Sequence, residues 1–90
     1  MTNTEFNKKY SDHIPKNYGG LSINIPEVVR YLDEEMPKVL KVNPTFKLCD
    51  VKYERGYIYV FSFVEKEPYI SISEKWEEDI TNILKKINKL

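Results

Sequence analysis

The sequence is poor in the residues that build metal and redox chemistry: of its 90 residues, one is cysteine and one is histidine. Cys49 has no partner for an intrachain disulfide, and Cys49 with His13 cannot complete an ordinary zinc or iron–sulfur ligand set. No cofactor and no metal are therefore expected. A lone cysteine suits a reducing compartment, and the expected location is the cytoplasm. Glycine is also scarce, with three residues, and no phosphate-cradling GxxxxGK[ST] or GxGxxG occurs. HExxH, GxSxG and CxxC are absent too. Excess charge of either sign is missing, since 14 basic residues balance 14 acidic ones. The global basic footprint of a nucleic-acid binder is thus lacking, and any electrostatic site must be a local patch. The longest nearly unbroken apolar run, Tyr57–Val64, is too short to cross a bilayer as a helix. The opening residues MTNTEFNKKYSDH lack the apolar stretch of a signal peptide, so no membrane partner is expected.

What is present fits one domain over residues 1–90, with residues 1–20 a less regular N-terminal arm. The clearest element is the last. Trp76, Ile80, Ile83, Leu84, Ile87 and Leu90 form one stripe at helical spacing. Acidic residues crowd its start (Glu74, Glu77, Glu78, Asp79) and lysines its end (Lys85, Lys86, Lys89), complementing the helix dipole. With Ser73 as N-cap, this predicts a helix over 74–89. Upstream, Pro26 suits the first turn of a second helix, continued by Val28, Val29, Leu32 and Met36. Pro37 should kink or break it near Met36. Gly20–Ile25 alternates and reads as a short strand; Glu5–Tyr10 reads as one helical turn or two.

Between the helices, Thr45–Tyr53 and Tyr57–Val64 flank Glu54-Arg55-Gly56 and predict a β-hairpin. A three-residue loop with glycine last gives the cleaner separation of faces. It gathers Cys49, Val51, Tyr53, Tyr57, Tyr59 and Phe61, with Lys47 and Phe63, on a core face. The other face then holds Phe46, Leu48, Ile58, Val60 and Val64 beside Asp50, Lys52 and Ser62. Glu65–Pro68 reads as a polar turn, and Tyr69–Ile72 as a third strand. The expected fold is α+β and two-layered: a three-stranded antiparallel meander, with an added short N-terminal strand, packed against two helices in the order (β)-α-β-β-β-α.

In topology, residues 26–90 resemble a double-stranded-RNA-binding domain. In that family a lysine-rich motif opening the final helix meets phosphates. Here the matching stretch, Ser73-Glu74-Lys75-Trp76-Glu77-Glu78-Asp79, is acidic and would repel them, so the family's function is not carried over.

No catalytic residue is expected. His13 is the one natural general base near neutral pH, but it sits in a polar segment with no partner at a defined spacing. Cys49 reads as a packed thiol, and the Asp33–Glu35 and Glu77–Asp79 runs as solvated helix faces. The expected function is a small non-catalytic protein–protein binding module: an inhibitor or accessory protein of a phage or mobile element, the Lys-, Ile- and Asn-rich composition suggesting an AT-rich genome. Its candidate contacts are Asp50, Lys52, Ile58 and Val60 of the second sheet face, with Tyr10 and Tyr18 of the arm. The alternatives are a nucleic-acid binder using Lys8, Lys9, Lys16, Tyr10 and Tyr18, and a minimal ribonuclease or toxin built on His13. A homo-oligomer paired through an open sheet edge is a further expectation.

Overall fold

The computed structural model describes all 90 residues. In chain order they form α1 (Asn3–Lys9), β1 (Gly20–Leu21), α2 (Pro26–Val42), β2 (Phe46–Glu54), β3 (Tyr57–Val64), β4 (Glu67–Pro68) and α3 (Ile70–Lys86), with a single 3₁₀ turn at Ser11–His13. The fold is α+β, with three helices and one four-stranded sheet in the order β1-β2-β3-β4. The sheet is mixed rather than antiparallel throughout: β1 runs parallel to β2, pairing Gly20 with Asp50 and Leu21 with Val51. A parallel neighbour needs a crossover connection, and α2 supplies it.

The N-terminal arm is more regular than its composition suggests. Thr2 and Glu5 cap α1 reciprocally, each side chain accepting from the other residue's backbone N–H. Phe6 is fully buried and Tyr10 nearly so. The Asn7 side-chain amide pairs with the N–H and C=O of Leu21 at 2.9 and 3.0 Å. A side chain thus does at the free edge of β1 what a neighbouring strand would do. Gly20 allows this contact. At its φ of +70°, an added Cβ would lie 2.7 Å from Asn7 Oδ1 and 2.8 Å from Ile14 Cδ1.

Pro37 does not break α2, which runs unbroken to Val42. Proline's missing N–H leaves the carbonyl of Asp33 without its helical donor. The Tyr10 hydroxyl lies 3.2 Å from that carbonyl oxygen and 2.7 Å from Asp33 Oδ1, and Lys9 Nζ reaches the same carboxylate at 2.9 Å. The arm therefore covers the site of the proline defect.

The hairpin differs from its sequence reading in loop and in face. Arg55 and Gly56, at φ +53° and +81°, form a two-residue turn, and Glu54 pairs directly with Tyr57. Two successive positive φ values describe a type I′ turn, whose twist suits a hairpin. That register alone would scatter polar and apolar groups on both faces. A β-bulge at Cys49 corrects it: Leu48 pairs with Ser62, but Asp50 pairs with Phe61. The inner face is Phe46, Leu48, Val51, Ile58, Val60 and Ser62, all buried. The tyrosine-rich side, expected in the core, lies outside.

The third predicted strand is also corrected. β4 is only Glu67–Pro68, after a tight turn in which Glu65 takes φ +61°. Tyr69 then stands at the N-cap position of α3 without a side-chain capping bond, and the helix begins at Ile70 instead of after Ser73. Ser73 is inside the helix, its hydroxyl 2.9 Å from that of the buried Ser62. The inner sheet face packs against α2 through Val28, Val29, Leu32, Met36 and Val39 and against α3 through Trp76, Ile80 and Leu84. Trp76 meets Phe46 edge-on at 5.6 Å.

Candidate protein-binding face

Strand alternation sends every second residue of β3 away from the helices. Those residues are Tyr57, Tyr59, Phe61 and Phe63. Tyr57, which opens β3, is 68% exposed, and Tyr59 and Phe61 within the strand are 47% and 42% exposed, high values for large rings on a sheet. Alongside them on β2 stand Glu54 opposite Tyr57, Lys52 opposite Tyr59, Asp50 opposite Phe61 and Lys47 opposite Phe63. An aromatic row thus runs beside a charged row whose sign alternates. Lys52 and Glu54 form a loose, exposed ion pair at 3.7 Å. Lys47 Nζ donates to the Asp12 carbonyl at 2.7 Å, tying the arm to one end of the face. Tyr18 adds a further ring, edge-on to Phe61 with centroids 5.7 Å apart. Beyond Phe61, a shallow depression of about 190 Å³ is lined by Phe61, Phe63, Glu65, Lys66 and Pro68.

The sequence-predicted contacts divide into two groups. Asp50 and Lys52 lie on this outer face, and Tyr18 borders it. Ile58 and Val60 are in the core, and Tyr10 is buried against Phe6 and Asp33. The residues the sequence reading missed are Tyr57, Tyr59 and Phe61, which it had placed inside. The signal that could have found them is Arg55-Gly56 read as a two-residue turn, a weaker signature than Asn-Gly or Asp-Gly.

The remaining reactive side chains are held by structural partners or set apart. His13 is half-buried in its 3₁₀ turn, and its Nδ1 has no hydrogen-bond partner. The Cys49 thiol is buried at the bulge, and burial together with the Asp50 charge pushes its pKa up to about 11. Asp33 sits below the usual carboxylate range because Lys9 and Tyr10 donate to it. Burial alone would raise Glu35, but donation from Lys75 at 2.6 Å and Lys38 at 3.1 Å outweighs it and lowers its pKa. Tyr31, on α2, is raised by burial and by its hydrogen bond to Asp79. Glu77 accepts from the Val60 N–H at 2.9 Å, at the β3 edge that β4 leaves unpaired. No three His, Cys, Asp or Glu side chains converge as a metal site, and no helix is long and apolar enough to cross a membrane. The Lys8/Lys9/Lys16 set does not form one surface with Tyr10 and Tyr18, since Lys9 turns to Asp33 and Tyr10 is inside.

No protein-family model, curated protein or solved structure matches the chain.

Proposed function

We propose that the protein is a non-catalytic protein-binding module whose contact surface is the outer face of β2 and β3. The observation that carries this reading is the row Tyr57, Tyr59 and Phe61, left open to solvent beside charges of both signs. Rings of this kind bring large apolar area with few torsions to freeze, and tyrosine is among the residues that dominate interface energetics. The charges favour a folded protein over a nucleic acid. A phosphate backbone needs a cationic track, whereas here Lys47 and Lys52 alternate with Asp50 and Glu54. An inhibitory or accessory role suits a body this small, and the cytoplasm would keep its buried thiol reduced.

Affinity capture from a lysate of the source organism tests the reading, with the wild type and a Tyr57→Ser/Tyr59→Ser/Phe61→Ser variant as baits. The wild type should retain a stoichiometric protein that the variant loses, while circular dichroism and thermal melting show the variant folded. Each ring at the centre of the contact should contribute about 2 kcal/mol, roughly thirtyfold in affinity. No recovered protein, a further copy of this chain included, or equal recovery on both baits, contradicts it.

A further inference from the structure

We infer that the outer sheet face pairs with the same face of a second copy of this chain, across a twofold axis that lies in the interface plane and runs perpendicular to the strands. This rests on the reading of that face as a protein-binding surface, and it names the partner.

A twofold contact is isologous: each patch must complement itself when turned end for end. Few surfaces meet that condition. Along β2 the outward side chains are Lys47, Asp50, Lys52 and Glu54, opposite Phe63, Phe61, Tyr59 and Tyr57 of β3. The bulge absorbs Cys49, so the four charges are evenly stepped against the four rings. Their signs run plus, minus, plus, minus. Reversal places each charge against its opposite: Lys47 faces Glu54 of the second copy, and Asp50 faces Lys52, each contact occurring twice.

The aromatic row obeys the same operation. Reversal about its midpoint sets Tyr59 over Phe61 and Tyr57 over Phe63 of the second copy. The centre of the charged row falls at Val51 and that of the aromatic row at Val60, and these two residues are cross-strand partners. One axis therefore satisfies both rows. Two sheets packed this way keep their strands nearly aligned, as in β-sandwiches. The ion pairs set orientation, since a twofold running along the strands would instead lay each charged row over the rings of the other copy and leave the charges unpaired. The rings supply the apolar area. Lys47 keeps donors for a second partner while bonded to Asp12, because an ammonium carries three N–H groups.

The face is modest. Two strands of this length span about 27 Å, and with the flanking Tyr18 and Pro68 the contact covers on the order of 500 Å² per copy. That is near the lower limit for a specific interface, so the dimer should exchange with monomer at micromolar concentration.

Sedimentation equilibrium over a concentration series tests this with the full chain, checking each variant's fold by circular dichroism. The wild type should show a monomer–dimer equilibrium. Lys52→Glu sets the introduced glutamate against Asp50 of the other copy at both symmetric sites and should weaken the dimer tenfold or more. Asp50→Lys should do the same through Lys52. Mixing the two single variants restores opposite charges at both sites, so a heterodimer should form at concentrations where each alone is monomeric. The double variant Asp50→Lys/Lys52→Glu should recover self-association. A wild type monomeric throughout, or single variants that dimerise as it does and gain nothing on mixing, overturns the inference. A monomeric wild type that still retains another protein through Tyr57, Tyr59 and Phe61 sinks only the self-pairing; one that retains nothing sinks both readings.

Discussion

Cys49 shows how one residue can hide a register. In sequence it reads as an ordinary strand position, and counting it that way carries every downstream side chain of β2 to the wrong face. In the structure it is the bulge, fully buried, with its thiol pushed up to about 11 by burial and by Asp50. At pH 8 the thiolate fraction is then on the order of 0.1%. An aromatic disulfide reagent added to the native protein at pH 8 should react at least about a hundredfold more slowly than with the urea-unfolded chain. A fast stoichiometric reaction in the native state would show the thiol exposed or ionised. Tyr10 makes a similar point. An aromatic in a polar arm looks like a contact residue, yet its hydroxyl reaches the Asp33 carbonyl that Pro37 leaves without a donor. The two residues are far apart in sequence, and no local pattern links them.

At the scale of elements, the helices and the Pro26 start of α2 were legible, while the start of α3 was not. The stripes on α2 and α3 repeat at helical spacing, and their core residues are the buried ones. The start of α3 was misread because Pro68 and the apolar Tyr69–Ile72 suggest a strand. The backbone instead turns into helix at Ile70, with Ile70 itself exposed. The two helices are tied by polar contacts that sequence spacing cannot reveal: Glu35 of α2 receives Lys75 of α3, and Tyr31 bonds to Asp79.

This tie gives stability a pH dependence whose sign follows from the shifts. Glu35 is depressed below its ordinary 4.5, so its contribution is complete above that value and is lost as pH falls through the depressed pKa. Asp33, lowered by Lys9 and Tyr10, adds to the same acid limb. Lys75 is raised above 10.5, so its contribution is present below that value and is lost as pH rises through the raised one. Urea unfolding should therefore give a plateau between about pH 5 and pH 9 with losses on both sides, the basic loss beginning with Cys49, whose thiol ionises near 9 in the unfolded chain and only near 11 in the fold. Glu35→Gln should lower the plateau by about 1–2 kcal/mol, since Lys75 is half exposed and its pairing is screened, and should flatten the acid limb. An unchanged acid limb would assign the acid sensitivity to other carboxylates.

At the scale of the molecule, periodicity and composition conveyed the class. An α+β body with two main helices over a β2–β3 hairpin follows from the apolar stripes and the turn signal. The parallel β1 did not, because a two-residue strand pairing across a whole helix leaves no local trace. Which side of the hairpin faces the helices was undecided by alternation alone, since both sides carry large apolar residues. The turn and the bulge together decide it. They leave Val51, Ile58 and Val60 to fill the space under α2 and α3, while the rings of Tyr57, Tyr59 and Phe61 stand outside. The proposed function rests on that outward row.

Hydroxyl-radical footprinting of the dilute protein, read residue by residue by mass spectrometry, tests it most directly. Tyr57, Tyr59 and Phe61 should oxidise as solvent-exposed rings do. Trp76, Phe6 and Phe46, fully buried, should stay unmodified despite their intrinsic reactivity. Protection of the three β3 rings, with oxidation at Ile58 and Val60 instead, would place the tyrosine side in the core and remove the proposed surface.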